Sequence, residues 1–147
     1  MITFPQIESA TLEFFGQHWA PTIGLPSPTW SEEYRFVGEI YNNQYQGCYV
    51  LMKEDAVIYV GSAVSKGRGR YRECGIGERF NAYLRWDKSS PSTIQTRVFK
   101  PRESISGVTA ARTIGFPSGH GYLALALEAF LIARFKEHGL HNIRGVV

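Results

Sequence analysis

The sequence predicts an α+β fold: a small mixed β-sheet of about three strands flanked by helices. Two apolar runs, GCYVLM and AVIYVG, stand either side of the charged stretch Lys53-Glu54-Asp55, the pattern of a hairpin. The stretch GYLALALEAFLIARFKEHG reads as a long helix that ends at Gly139, the residue type suited to that position. The overall order, strand–strand–helix–strand–helix, is that of a small α+β domain. At 147 residues the chain suits one domain, and a chain of this length buries about 70% of its unfolded surface.

Each element has a local cause. Gln6 to Trp19 has the apolar spacing of a short amphipathic helix, with Ile7, Leu12, Phe14 and Phe15 as its apolar members. APTIGLPSPTW holds three prolines and a glycine and is an extended connector. Residues 34–46 have weak strand character. Residues 1–46 thus read as an N-terminal extension, or arm, ahead of a domain at 47–147. Strands are expected at about 47–52 and 57–61, followed by a Gly- and Arg-rich insert at 62–77. A helix is expected at about 77–86 and a third strand at 93–99 in TIQTRVF. Residues 101–120 carry two prolines, several small residues and no clear period.

Composition narrows the class. The chain is 44% apolar and 20% charged, ordinary for a soluble globular protein, and at 14% it is rich in aromatics. Cys48 and Cys74 form neither a CxxC motif nor a disulfide framework, so a reducing compartment is expected. The first residues lack a basic stretch and include Glu8 and Glu13, unlike a secretory signal. Nowhere do about 20 apolar residues run together, so no membrane span is expected and the cytoplasm is the expected location. The net charge of +3 hides a division: residues 1–60 carry −5 and residues 61–102 carry +7. A basic block of that density suits a polyanion, and it also suits a solvated face.

The two tyrosines of the hairpin raise a question of parity. Tyr49 and Tyr59 are ten residues apart, so they face each other only across a loop with an odd number of residues. A three-residue loop, Lys53-Glu54-Asp55, meets that condition, with Asp55 in the left-handed conformation. An even loop puts the rings on opposite faces. By itself a tyrosine pair in a hairpin is ordinary cross-strand packing. Further on, Arg79 and Tyr83 are four apart in the helix GERFNAYLRW and share one of its faces. Glu128 is the one carboxylate between Glu103 and Glu137, set among apolar residues, where a charge needs a partner, a metal or a cleft. Asn142 follows in HGLHNIRG.

In this order these residues resemble the GIY-YIG nuclease superfamily over about residues 47–142. Gly47-Cys48-Tyr49 stands where that family has GIY, and Tyr59-Val60-Gly61 where it has YIG. Arg79 matches the family's helix arginine, Tyr83 its Tyr or His one turn later, Glu128 its metal-binding glutamate and Asn142 its closing asparagine. There are departures. Cys48 replaces Ile, and Ser62 stands where many members carry a Lys, a contact that is missing here or supplied by Lys66. The distance from Gly61 to Arg79 is also long, so Arg70 and Arg72 are rival candidates for the catalytic arginine.

The resemblance implies a restriction-type, divalent-metal-dependent endodeoxyribonuclease. One Mg²⁺ (or Mn²⁺) ion per site would be held by Glu128, a coordination that suits an ion retaining most of its waters. Arg79 would clamp the non-bridging phosphate oxygens with its planar fork. Tyr49 would position and deprotonate water, given cations that depress its phenol. Tyr59 and Tyr83 would relay hydrogen bonds, and Asn142 would orient Glu128. The expected partner is double-stranded DNA, and restriction-type cleavage suggests a homodimer.

Within the insert, Lys66, Arg68, Arg70, Tyr71 and Arg72 are the candidate DNA contacts, with phosphates taken by the cations and bases by the ring. His138 and His141 lack partners at zinc spacing, and His120 in SerGlyHisGly reads as a turn residue. The alternatives are a non-catalytic nucleic-acid-binding module on the same fold and a repair or mobile-element nuclease.

Overall fold

A computed structural model describes residues 1–65, 74–90 and 93–141. The elements run α1 (Phe4–His18), β1 (Gln46–Lys53), β2 (Ala56–Ala63), α2 (Gly75–Tyr83), β3 (Leu84–Trp86), β4 (Phe99–Pro101), β5 (Ala110–Phe116) and α3 (Tyr122–Phe135). The class is α+β. The sheets are antiparallel throughout rather than mixed: one has the order β2-β1-β5, and β3 and β4 form a separate ribbon.

β1 lies at the centre and is covered on both faces, so its residues from Gly47 to Met52 are buried without alternation. On one face Cys48, Val50 and Met52 join Ile7, Phe14, Leu127 and Leu131, from the helices α1 and α3. On the other, Tyr49 and Leu51 pack with Tyr34, Ile76 and Phe80, from the 34–40 segment and α2. No described helix is long and apolar enough to cross a membrane.

Residues 1–46 are part of this core rather than an arm. Ile2, Phe4, Ile7, Ala10, Phe14 and Phe15 are buried in it, while Leu12, expected among them, is 66% exposed. The Thr3 N–H donates to Gln6 Oε1 (2.8 Å), which closes the start of α1. The Val57 N–H donates to the Ile2 carbonyl (2.8 Å), and Arg134 of α3 grips Glu13 of α1 through two bonds of 2.9 and 3.0 Å. The proline-rich connector, expected to be extended, opens with a 3-10 turn at Pro21–Ile23 and is irregular beyond it; its end at Trp30 and the residues after it cover the outer edge of β5. There Ser31 N–H donates to Thr113 O (2.7 Å) and Tyr34 N–H to Ala111 O (2.8 Å). Residues 34–45 are largely irregular, with isolated bridges at Tyr34 and Val37 and with Phe36 and Asn42 at positive φ, and β1 begins at Gln46.

The third strand of the sheet is β5, within the region that shows no sequence period. TIQTRVF instead forms a turn that leads into β4. The helix expected to reach residue 86 ends at Tyr83, where the chain turns extended at Leu84 and the Arg102 N–H takes the Tyr83 carbonyl (2.7 Å). Similarly, α3 stops at Phe135, and Gly139, at φ +102°, closes the turn beyond it.

Candidate active site

The hairpin brings its two tyrosines to one face by a route other than the expected loop. Lys53 pairs with Ala56, which leaves a two-residue turn with Glu54, not Asp55, at positive φ (57°). An even turn alone would separate the rings. The ladder shifts, however, between Met52↔Val57 and Leu51↔Tyr59, so Ile58 is an extra residue in β2. This β-bulge restores the odd count. Tyr49 lies opposite Gly61, Tyr59 lies opposite Leu51, and the tyrosine rings stack diagonally with centroids 6.0 Å apart at 24°.

The glycines beside each tyrosine have steric causes. A Cβ at Gly61 would collide with the Tyr49 ring and come within 2.8 Å of Tyr59 Cε1. A Cβ at Gly47 would strike the Ile114 carbonyl oxygen on β5 and lie 2.9 Å from Ile76 Cδ1 on α2. Gly61 thus makes room for the tyrosine rings, whereas Gly47 makes room for β5 and α2.

Helix α2 completes the cluster. The Tyr49 and Tyr83 hydroxyls share a hydrogen bond of 2.7 Å. Phe80 sets its ring edge-on against both, at 5.2 and 5.5 Å. The exposed Arg79 places its guanidinium carbon 6.0 Å from the centre of the Tyr83 ring. Burial pushes the Tyr49 phenol well above its ordinary value, and the neighbouring Tyr83 adds to this; Arg79 acts in the other direction and more weakly. The expected depression of Tyr49 by nearby cations therefore does not appear in this geometry. Tyr49 is 1% exposed and shaped as a buried hydrogen-bond partner. Tyr59 is only half-buried, and its phenol is also raised, first by burial and then by Tyr83.

Glu128 comes from α3 on the other side of the sheet and adds only a small upward push to the Tyr59 phenol, after burial and Tyr83. It is half-buried, one turn beyond Ala124, whose carbonyl accepts the Cys48 thiol at 2.9 Å. The Cys48 thiol is raised by burial first and by Glu128 second, and Cys48 fills the buried strand position where the resemblance has Ile. Among the described residues no three His, Cys, Asp or Glu side chains converge on a point. A cation here would rest on Glu128 as a single carboxylate, which fits an ion such as Mg²⁺ that keeps its waters. After α3 the chain returns to β2, where the His141 N–H donates to the Ile58 carbonyl (2.6 Å).

Asn142 lies outside the described residues, as do Lys66, Arg68, Arg70, Tyr71 and Arg72. The ends of the 62–77 insert are regular: β2 continues through Ala63 and α2 begins at Gly75. These ends meet closely, because a Cβ on Gly75 would strike the Ala63 carbonyl. His120 occupies a turn before α3, beside the rings of Trp19 and Tyr122.

The structure thus brings together Tyr49, Tyr59, Tyr83 and Arg79, while Glu128 lies on α3 across the sheet, with no direct hydrogen bond to them. Sequence reasoning missed Phe80, the wedge that fixes Tyr49 and Tyr83; its signal was the shared helix face of residues 76, 80 and 83. Comparison with protein-family models, curated proteins and solved structures finds no match to this chain.

Proposed function

We propose that this protein is a divalent-metal-dependent endonuclease that hydrolyses phosphodiester bonds in double-stranded DNA, in the manner of a small restriction enzyme. The observation that carries the reading is the convergence of three tyrosines and Arg79 on one sheet face. Hydrolysis of a phosphodiester needs a positioned water, charge stabilisation at phosphorus and help for the leaving oxygen. Arg79 is exposed and presents a planar fork to the non-bridging oxygens. Tyr59, at the sheet edge and half-buried, holds the water in place. Tyr49 fixes the hydroxyl of Tyr83 from below and passes hydrogen-bond polarisation along the cluster. Glu128 would hold a Mg²⁺ ion, whose charge supports the departing oxygen.

Plasmid cleavage with Mg²⁺, with EDTA and with Glu128→Ala tests the proposal. Cleavage is expected to require the ion and to fall at least about 10²-fold in the variant, while DNA binding persists. Wild-type rates in Glu128→Ala would refute the metal assignment. One observation favours a second reading, a non-catalytic nucleic-acid-binding module: Tyr49 is buried and hydrogen-bonded to Tyr83 as a core residue would be. Duplex binding without cleavage under any divalent ion would select it.

A further inference from the structure

We infer that the β3–β4 ribbon is a second DNA-contacting surface, on which Arg85, Lys100 and Arg102 grip the phosphate backbone of a duplex beside the tyrosine cluster. The inference takes its partner from the nuclease reading and its location from the ribbon itself. Between residues 84 and 102 the chain carries five basic side chains and one acidic one. The ladder pairs Leu84 with Pro101, Arg85 with Lys100 and Trp86 with Phe99. Leu84 and Phe99 turn toward the core, which puts Arg85 and Lys100 on the outward face, directly across from one another. Arg102, just past the end of β4, is likewise exposed.

Like charges directly opposed in an antiparallel pair weaken the pairing. A ribbon of two three-residue strands gains nothing internally from this arrangement. Asp87 offsets it in part, at 3.6 Å from Lys100, but its carboxylate is also held by Ser89. Glu39, Glu78 and Glu103 are carboxylates on the neighbouring segments. A polyanion turns the repulsion into attraction, and the ribbon follows directly on the helix that carries Arg79 and Tyr83. The Arg102 N–H holds the Tyr83 carbonyl (2.7 Å), its Nε holds the Leu84 carbonyl (3.1 Å), and Arg79 precedes Tyr83 by one helical turn. Arg102 is thus anchored at the end of the helix that carries Arg79 and Tyr83. The Arg97 guanidinium carbon lies 4.1 Å over the ring of the part-exposed Trp86.

The test measures affinity for a duplex of about 20 base pairs against salt, in EDTA so that binding is read without cleavage. Replacing both Arg85→Gln and Lys100→Gln should flatten the slope of log affinity against log salt by about two, at about 0.9 per phosphate contact. The melting temperature of the free protein should rise, since the opposed charges are gone. Arg85→Lys with Lys100→Arg should keep the wild-type slope, as should Arg35→Gln with Lys53→Gln elsewhere on the surface. An unchanged slope in the Gln pair overturns the inference, as does a loss of binding to phosphatidylserine vesicles with duplex binding intact. A wild-type protein that binds duplex but never cleaves it refutes the nuclease reading and leaves the ribbon result standing. Absence of duplex binding refutes both.

Discussion

Tyr49 stands directly opposite Gly61 across the hairpin, and its ring fills the space that a side chain at 61 would need. Gly61→Ala should therefore overpack the site and cost about 1–3 kcal/mol of stability, read from urea unfolding. The same substitution combined with Tyr49→Ala should cost less than the two single changes together, because the clash is removed with the ring. Additive costs would mean that the ring does not lie over Gly61.

The Tyr49–Tyr83 hydrogen bond should show coupling of its own. Tyr83→Phe leaves the buried Tyr49 hydroxyl without this partner, a cost of about 1–3 kcal/mol. Adding Tyr49→Phe should recover part of that loss, since both polar groups are then gone. A double-mutant cycle with no coupling would count against the pairing.

Alkaline pH should act on Tyr49. Its phenol is raised in the folded protein, so the folded state keeps a proton that the unfolded chain releases above the ordinary phenol value of about 10. This contribution to stability is fully present below that pH and is lost progressively as the pH rises above it. Unfolding should thus begin in that range, accompanied by phenolate absorbance. In Tyr49→Phe the stability curve should be flatter there; an identical curve would mean that the buried phenol does not drive the transition.

Arg79→Lys separates charge from geometry. The side chain is exposed on α2, so stability should change by less than about 0.5 kcal/mol. Cleavage should nevertheless fall on the order of 10²-fold, because an ammonium cannot reproduce the fork that clamps two oxygens. A variant with the wild-type rate would pass the catalytic role to Arg70 or Arg72.

What the sequence disclosed depended on how locally each feature is encoded. Helix α3 was legible from its apolar run, and the Arg79–Tyr83 pairing followed from helical spacing alone. The face shared by Tyr49 and Tyr59 was stated only as a condition on loop parity. It is met by a bulge at Ile58, and Ile-Tyr-Val carries no mark of one. β5 was invisible for a different reason: AARTIGF has small residues of weak strand preference and is covered on both faces, so neither propensity nor alternation shows. The burial of Tyr49 depends on Phe80, Ile76 and the 34–40 segment closing over it, and that is a tertiary fact. The charge density of 61–102 was plain, but the opposition of Arg85 and Lys100 needed the β3–β4 register.

The bond from the His141 N–H to the Ile58 carbonyl gives the molecule a common datum. Ile58 sets the phase of β2 and hence the position of Tyr59, while His141 fixes the far end of the segment that leaves the helix carrying Glu128. Both groups are thereby surveyed from one point on the sheet edge. One backbone bond and the short run of residues 136–141 thus tie the strand that carries Tyr59 to the helix that carries Glu128.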